Sequence, residues 1–289
     1  MNRFYAFSQL FLLLSIFALS IGQDGNHKLT LEDIYKNNSF PTRNYRSLRW
    51  MEDHIHYSTL ENNREKGCSE IIRYNVRSGE REVLVDAEKL VPTNSNDPIQ
   101  VSDYQWSNDD SLILLFTNTQ RVWRRHTRGD YWVLNMNSGR LIQLGRSLKP
   151  ATLMFAKFSP EGKKVAFVSE HNIYVEDLLS GEILQLTFDG GLRYVNGTFD
   201  WVYEEEFDCR DGFRWSNDGT NIIYWHSDTK GTGTFYLINN LDSIYSKPLP
   251  FPYPKAGTPN SAVKIGWYLL QEVTPGGLIS REIHGTTTW

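Results

Sequence analysis

The sequence predicts an all-β fold, a partial β-propeller of about four four-stranded blades. The first observation is a repeated unit in which an alternating strand ends in an aromatic residue and a polar turn leads into a second strand. The second is a further hairpin in three of these units, because two hairpins make one blade. The third is an aromatic share of 13% in a chain of 289 residues, since aromatic side chains pack well on pleated sheets.

The repeated units are marked by four aromatic residues at intervals of 56, 52 and 57 residues: Trp50, Trp106, Phe158 and Trp215. The turns that follow Phe158 and Trp215, Ser-Pro-Glu-Gly and Ser-Asn-Asp-Gly, contain the glycine or asparagine that a tight hairpin requires. The second hairpins span residues 71–85, 131–144 and 173–187, and each turns at a Ser-Gly pair. Units of this kind bury their faces against their neighbours, so we expect the marking aromatic residues in the core and the glycines in turns.

The first 22 residues have the pattern of a signal peptide. Arg3 precedes an uncharged apolar run over residues 4–21, and Gly22 leads into a polar stretch. An uncleaved signal anchor is the alternative, because the run approaches the ~20 residues that span a bilayer. Cleavage predicts a protein exported to a periplasm or secreted, and anchoring predicts a membrane-tethered one. In both cases the folded part is expected outside the cytoplasm.

Three segments follow the predicted signal peptide, residues 1–22. Residues 23–46 form an N-terminal segment with a short helix over 29–35, for which Thr30 is the expected N-cap. Residues 47–266 carry the incomplete set of blades. Residues 267–289 follow the alternating pattern poorly, and we expect them to form a divergent tail.

Composition and charge exclude several kinds of site. The net charge is −4 and no basic stripe is present, so no nucleic-acid partner is predicted. The seven histidines and two cysteines form neither a His-Glu-x-x-His nor a Cys-x-x-Cys motif, so neither a metal site nor a cofactor is predicted. Cys68 and Cys209 would form one disulfide if the fold brings them together, and would remain free thiols otherwise.

A cluster of three adjacent carboxylates, Glu204, Glu205 and Glu206, is the first candidate site. Like charges repel, which raises the pKa of at least one acid unless a cation lies nearby. On a helical turn successive side chains are ~100° apart, so Glu205 and Glu206 would lean toward one positive group. A solvated acidic turn is the alternative. The large aromatic neighbours are costly to leave in water and favour a pocket wall. They are Trp201, Tyr203 and Phe207.

A run of arginines is the second candidate site. It lies beside Trp123 and contains Arg121, Arg124, Arg125 and Arg128. A solvated loop is the usual structure of such a charge run. A nucleic-acid patch is excluded, because the run is short and the chain is acidic overall.

Residues 196–206, Asn-Gly-Thr-Phe-Asp-Trp-Val-Tyr-Glu-Glu-Glu, resemble the signature of the dipeptidyl peptidase IV family. The resemblance implies a short helix that projects into a propeller cavity, where Glu205 and Glu206 bind the free α-amine of a peptide substrate. It also implies an arginine after an aromatic residue, which aligns with Arg124 and leaves Arg125 as the less favoured candidate. A guanidinium there would grip a peptide carbonyl and keep both glutamates ionised.

The resemblance covers the first part of the family's architecture. Residues 249–257 are similar to a connector of the family, and residues 206–215 are similar to its bacterial members. The family's ring has about eight blades and is followed by an α/β-hydrolase domain. We therefore expect a truncated member that stops before the catalytic domain. An incomplete ring would expose sheet edges, and pairing into a homo-oligomer would cover them.

The resemblance implies the N-terminal, substrate-binding part of a serine exopeptidase that releases N-terminal dipeptides, often Xaa-Pro. The family's nucleophile lies in a Gly-x-Ser-x-Gly elbow. That pattern is absent from the 289 residues, so no catalytic residue is assigned. The alternative is a non-catalytic propeller that binds peptides or proteins, like the inactive relatives in the same family.

Overall fold

The computed structural model describes residues 29–37, 39–40, 47–63, 65–274 and 277–284. The predicted signal peptide, residues 1–22, lies outside the described residues. Within the described part, no helix is long and apolar enough to cross a membrane. The chain divides into two compact units, Met1–Asn44 and Tyr45–Trp289.

The first unit contains the short helix α1 (Leu31–Tyr35). Thr30 is its N-cap, and the Thr30 hydroxyl accepts a hydrogen bond from the backbone N–H of Asp33 at 3.1 Å. The Asp33 carboxylate accepts one from the backbone N–H of Thr30 at 3.2 Å, which completes a capping box. The predicted helix and its N-cap are confirmed.

The second unit is built mainly of antiparallel strands, and they follow the four predicted repeats along the chain. The first blade contains β1 (Arg49–Trp50), β2 (His56–Asn63), β3 (Cys68–Asn75) and β4 (Arg81–Val85), and a 3-10 turn, Glu88–Leu90, follows it. The second blade contains β5 (Val101–Trp106), β6 (Leu112–Val122), β7 (Arg125–Asn135) and β8 (Leu141–Gln143). The third blade contains β9 (Leu153–Phe158), β10 (Lys164–Ser169), β11 (Asn172–Asp177) and β12 (Ile183–Gln185).

The fourth blade is built around one long central strand. β13 (Tyr194–Asn196) and β14 (Phe213–Trp215) both pair with β15 (Asn221–Asp228), and a separate hairpin consists of β16 (Thr234–Asn239) and β17 (Lys247–Pro252). On its other edge β15 pairs with β18 (Ala262–Thr274), which pairs with β19 (Gly277–His284). Besides α1, the described residues contain one further α-helix, α2 (Trp201–Glu206). The predicted all-β fold class is confirmed.

Consecutive blades pack face to face, and alternate residues of one strand serve two cores. On β6, Ile113 and Leu115 belong to the core between the first and second blades, while Leu114 belongs to the next core. On β10, Phe167 faces the second blade's core and Val168 the fourth blade's core. Both faces are therefore covered, which explains the uninterrupted apolar runs over residues 112–116 of β6 and 165–168 of β10.

The aromatic residues that end the first strands join each blade to the preceding one. The Trp106 indole N–H donates to the Ser58 hydroxyl at 2.8 Å, and the Trp215 indole N–H donates to the carbonyl of Lys157 at 3.2 Å. The repeat predicts Trp50 in the core, and that prediction is wrong because the residue is 61% exposed. Trp50 ends a two-residue strand at the edge of its sheet. This strand has a neighbour, β2, on one side only, which leaves Trp50 exposed.

The predicted Ser-Gly turns are confirmed, and they repeat one arrangement. The side chain of Asn135 accepts hydrogen bonds from two backbone N–H groups of the turn at 3.0 and 2.9 Å. Asn75 and Asp177 do the same in the first and third blades. The glycine that closes the second-blade turn, Gly139, has a φ of 69°, which a residue without Cβ adopts freely.

Two features depart from a simple row of separate blades. β7 also pairs with β9, where Gly129 faces Leu153, so the second and third blades form one hydrogen-bonded sheet of eight strands. A Cβ at Gly129 would lie 2.5 Å from the carbonyl oxygen of Thr117, so the close approach requires glycine. β18 crosses position 266, where the sequence predicts the end of the blades, and pairs with β15 as far as Leu269.

The two cysteines are not bonded to each other. Cys68 is a buried free thiol at the start of β3, and Cys209 is a half-buried free thiol after α2. The structure therefore selects free thiols from the two alternatives that the sequence leaves open.

Candidate functional site

The acidic cluster lies on an insertion that leaves and rejoins the edge of the fourth blade. β13 and β14 pair with the same strand, and residues 197–212 between them form an excursion that carries α2. The two legs of this insertion meet in a bridge between Thr198 and Asp211. Beside it the N–H of Gly212 donates to the carbonyl of Gly197 at 3.0 Å. The helix is therefore held on a closed base rather than on a loose loop.

α2 begins at a well-formed N-cap. Asp200 has an extended backbone, and its Oδ1 accepts a hydrogen bond from the N–H of Tyr203 at 3.1 Å. Its Oδ2 accepts one from the hydroxyl of Ser261, the residue before β18. The negative side chain suits the positive end of the helix. Asp200 thus fixes the start of α2 and ties it to the fourth blade.

Aromatic residues surround the insertion. The ring of Trp201 lies 4.6 Å from that of Tyr253, and the ring of Tyr203 lies 5.2 Å from that of Trp225. Both Trp201 and Tyr203 are half-buried, as a pocket wall requires. Phe207 differs, because its side chain is 65% exposed. It follows the last residue of the helix, where the chain turns away.

The run of arginines lies at the tip of the long hairpin formed by β6 and β7. Trp123 occupies the turn with a φ of 48°, and its ring packs 5.0 Å from that of Phe251 on β17. The Arg121 guanidinium donates to the carbonyl of Trp123 at 2.9 Å. The hairpin tip, the insertion and the β16–β17 hairpin therefore meet at a shared aromatic cluster.

Arg124 and Glu205 form an ion pair at this junction. Arg124 Nε lies 2.6 Å from Glu205 Oε2. The carboxylate side chain is 7% exposed, whereas the guanidinium side chain is 78% exposed. Glu205 Oε1 is buried and has no hydrogen-bond partner among the described residues. The structure thus brings together two candidates from distant segments and leaves one acceptor oxygen unpaired.

Glu206 and Arg125 have different surroundings. Glu206 is exposed beside Glu205 and forms no ion pair with a described residue, so Arg124 contacts one glutamate and not both. Arg125 is exposed at the start of β7, and its charge lowers the pKa of Asp208 as a minor contribution beside that of Arg210. Of the two arginines, Arg124 is therefore the one that reaches the acidic cluster.

Two further charged residues complete the insertion: Glu204, the first residue of the acidic cluster, and Arg210, which the sequence does not single out. Glu204 is 7% exposed, and burial raises its pKa to about 7, with Arg210 opposing and Glu205 adding to the rise. Arg210 Nε lies 3.5 Å from Glu204 Oε1, and its Nη2 donates to the carbonyl of Glu204 at 3.3 Å. Arg210 thus braces the end of α2, a role that an arginine shortly after an acidic helix suggests.

A cavity of about 280 Å³ lies beside the insertion. Its wall includes Trp123 from the hairpin tip, Glu204 and Arg210 from the insertion, and His171 from the turn after β10. Burial, and then the charge of Arg128, lowers the pKa of His171, which keeps the imidazole neutral. The described residues contain no group of three His, Cys, Asp or Glu that would hold a metal ion. The cavity therefore offers both charged and aromatic side chains to a ligand.

A family model described as "Dipeptidyl peptidase IV (DPP IV) N-terminal region" matches residues 107–279, more than half of the chain. The chain belongs to this family. The match includes the hairpin tip with Arg124, the insertion with Glu205 and the β16–β17 hairpin. The predicted family is thus confirmed.

Relatives of this dipeptidyl peptidase IV N-terminal region occur in distant organisms. The chain is 30% identical over 246 residues to dipeptidyl peptidase 4 of Felis catus, an alignment that covers 84% of this chain and 30% of the relative. It is 27% identical over 263 residues to dipeptidyl aminopeptidase B of Saccharomyces cerevisiae, an alignment that covers 87% of this chain and 30% of the relative. The crystal structure of Porphyromonas gingivalis dipeptidyl peptidase 4 matches with a TM-score of 0.75 at 29% identity. This match covers 89% of this chain and 35% of the crystallised chain. The chain spans about a third of the length of these relatives.

Proposed function

We propose that this chain is the substrate-binding propeller part of a dipeptidyl peptidase IV-like serine exopeptidase, and that Glu205, Glu206 and Arg124 hold the free α-amine end of a peptide. The observation that carries the proposal is the ion pair between Arg124 Nε and Glu205 Oε2 at 2.6 Å, beside the exposed Glu206. Family membership and the helix that presents these carboxylates support it.

The charges of the site suit an ammonium group. Two carboxylates each attract it by ~4 kcal/mol at 4 Å and an effective dielectric of 20, before the cost of desolvation. Glu205 Oε1 is a buried acceptor without a described partner, and an unpaired acceptor costs free energy that a donor removes. A peptide ammonium has three N–H donors for Glu205 and Glu206. Arg124 keeps further donors for a peptide carbonyl.

The glutamates bind and orient the peptide, and no proton transfer is assigned to them. Fixing the amine determines which peptide bond lies at a given distance from the helix, and this distance would select a dipeptide. The bond cleavage itself belongs to the α/β-hydrolase domain that we propose as the catalytic partner of this region. The 289 residues contain no Gly-x-Ser-x-Gly sequence to supply the nucleophile.

We further propose that the protein works outside the cytoplasm, in a periplasm or as a secreted protein. The support is the N-terminal pattern of Arg3, the apolar run over residues 4–21 and Gly22. N-terminal sequencing of the mature protein tests this. A mature chain that begins shortly after Gly22 supports cleavage, and an intact N-terminus in a membrane fraction supports the signal anchor.

Calorimetric titration with the tripeptide Gly-Pro-Gly-amide tests the binding function. We expect binding to the 289-residue chain, and loss of binding when the same peptide is N-acetylated, because acetylation removes the ammonium charge. Glu205→Ala/Glu206→Ala should abolish binding. The matched control is Glu80→Ala/Glu182→Ala, which removes two exposed glutamates from hairpin turns. Equal binding of the acetylated peptide would mean a general peptide-binding propeller instead.

Hydrolysis of a chromogenic Gly-Pro amide by the same purified chain tests whether bond cleavage belongs to a separate domain. We expect no turnover, because these residues supply binding and not a nucleophile. Turnover that disappears in Glu205→Ala/Glu206→Ala would show that the 289 residues contain a nucleophile of their own. The assignment of catalysis to a separate domain would then be wrong.

A further inference from the structure

Lys157 on β9 carries an ammonium group that is almost enclosed. Its side chain is 18% exposed. Lys157 Nζ lies 2.5 Å from Asp211 Oδ1, donates to the carbonyl of Phe155 at 3.0 Å, and lies 3.6 Å from the centre of the Phe213 ring. An ion pair, a neutral acceptor and an aromatic face therefore surround this cation, and together they fix its position.

Asp211 lies at the base of the insertion that carries α2. It forms the bridge with Thr198 that joins the two legs, directly before Gly212, which bonds to Gly197. A displacement of Asp211 would therefore move both legs. Since the legs carry the helix, it would also move Glu205.

The contact between Lys157 and Asp211 joins this base to a different blade. Asp211 Oδ2 also pairs with Arg214 at 3.0 Å, but Arg214 is only three residues further along the chain, in β14, and its side chain is 61% exposed. Trp215 donates to the carbonyl of Lys157, but at a point where the chain has already rejoined the sheet as β14. Lys157 thus supplies the ionic link from the third blade to the base of the insertion.

We propose that Lys157 is a positioning residue: by holding Asp211 it fixes the base of the insertion, and so sets how Glu205 and Glu206 present their carboxylates to a peptide amine. This inference rests on the proposed function. It assigns no contact between Lys157 and the peptide.

The electrostatics separate this role from a role in stability. Burial lowers the pKa of Lys157 to about 8, with the charge of Asp211 opposing and that of Arg214 adding to the decrease. Between that pH and the ordinary value of 10.5 the unfolded chain holds the proton more tightly, so stability rises with pH in this window. The charged form of Lys157 therefore costs stability at neutral pH, so a variant without this charge need not be less stable.

Lys157→Met and Asp211→Asn, singly and together, test the inference through the dissociation constant for Gly-Pro-Gly-amide near neutral pH. We expect each single variant to weaken binding about five- to tenfold, and the double variant to be no weaker than either, because coupled residues are not additive. The melting temperature of Lys157→Met should stay level or rise, since an apolar residue replaces a buried charge whose partner keeps Arg214.

The pH profile is the second readout, with Lys157→Arg as the variant that stays charged. The peptide amine itself titrates near pH 8, but this effect cancels in the ratio of the two dissociation constants. We expect the ratio to be constant below about pH 8, and the parent chain to lose affinity relative to Lys157→Arg above it, as Lys157 loses its proton. A ratio that is constant across the whole range contradicts the inference.

Two results separate the failure of this inference from the failure of the proposed function. If Glu205→Ala/Glu206→Ala leaves binding unchanged, the proposed function is wrong and the positioning role falls with it. If that variant abolishes binding while folded Lys157→Met binds like the parent chain, only the positioning role is wrong. Should Lys157→Met fail to fold, Asp211→Asn and the Lys157→Arg profile decide the question in the same way.

Discussion

At the scale of single residues, the three adjacent glutamates of α2 have three different environments. Glu204 is buried and pairs with Arg210. Glu205 has a buried side chain that pairs with Arg124, and Glu206 is exposed. Helical residues are separated by ~100°, so neighbours in sequence must face different surroundings. One helical turn thus provides a buried carboxyl group beside Arg210, a carboxylate paired with Arg124 and an exposed carboxylate.

Arg124→Ala should weaken binding of Gly-Pro-Gly-amide about tenfold, because bonds from a guanidinium to a carboxylate or carbonyl are among the stronger hydrogen bonds. The chain should remain folded, because the Arg124 side chain is 78% exposed, and the loss of stability should be limited to that of leaving the Glu205 carboxylate unpaired. Arg125→Ala is the matched control, since the neighbouring arginine is also exposed. Titration calorimetry and thermal melts measure the two effects. Equal losses in both variants would contradict a specific role for Arg124.

Glu204→Gln should make stability less dependent on pH. Burial raises the pKa of Glu204 from 4.5 to about 7, so the folded chain holds the proton more tightly within this window. Stability must then fall as pH rises through the window, by on the order of 3 kcal/mol for this one group. Melting temperatures across the window should decline less in Glu204→Gln than in the parent chain. Glu206→Gln, at an exposed position, should retain the parent's decline.

At the scale of elements, the candidate site is made where three excursions from the sheets meet. The β6–β7 tip supplies Trp123 and Arg124, the insertion supplies α2, and the β16–β17 hairpin supplies Phe251. The ring of Phe251 lies 5.0 Å from that of Trp123 and 6.0 Å from that of Trp201. Phe251 therefore holds the arginine-bearing tip against the helix-bearing insertion.

Phe251→Ala should destabilise the protein by roughly 3 kcal/mol and weaken peptide binding, because it removes a buried ring at this junction. Phe251 is 9% exposed, whereas Leu249 on the same strand is 48% exposed. Leu249→Ala is therefore the matched control and should change both quantities little. Denaturant unfolding and calorimetry provide the measurements. Retained affinity in a destabilised Phe251→Ala would show that the junction does not position Arg124.

At the scale of the whole molecule, stability is divided among cores between neighbouring blades. One cluster joins the first and second blades, another the second and third, and another the third and fourth. Ile71 lies fully buried in the first of these clusters and Ile222 in the last. A chain of this kind is stabilised mainly by contacts between adjacent units.

Ile71→Ala and Ile222→Ala form a reciprocal pair that tests this division, and each should cost roughly 2 to 5 kcal/mol. We expect Ile71→Ala to accelerate amide hydrogen exchange mainly in β2, β3 and β6, and Ile222→Ala mainly in β10, β11 and β15. Mass-spectrometric exchange measures both patterns. An identical, chain-wide acceleration in the two variants would mean that the blades unfold as a single unit.

Much of the fold could be predicted because its signals are local. A Ser-Gly turn forms through hydrogen bonds between residues a few positions apart, as Asn135 and Gly139 show. The Thr30 cap depends on Asp33 three residues later. Trp50 could not be predicted in the same way, because its exposure depends on the edge position of its sheet.

By itself the sequence determined the blade repeat, the family resemblance and the candidate substrate-binding residues, Glu205, Glu206 and Arg124. The tertiary structure decided that Arg124 reaches Glu205 and not Glu206, that Glu204 is buried, and that Lys157 holds Asp211. The physical reason is the range of the interactions. Turns and caps are settled by neighbours in sequence, whereas these ion pairs join segments that meet only after the blades have packed together.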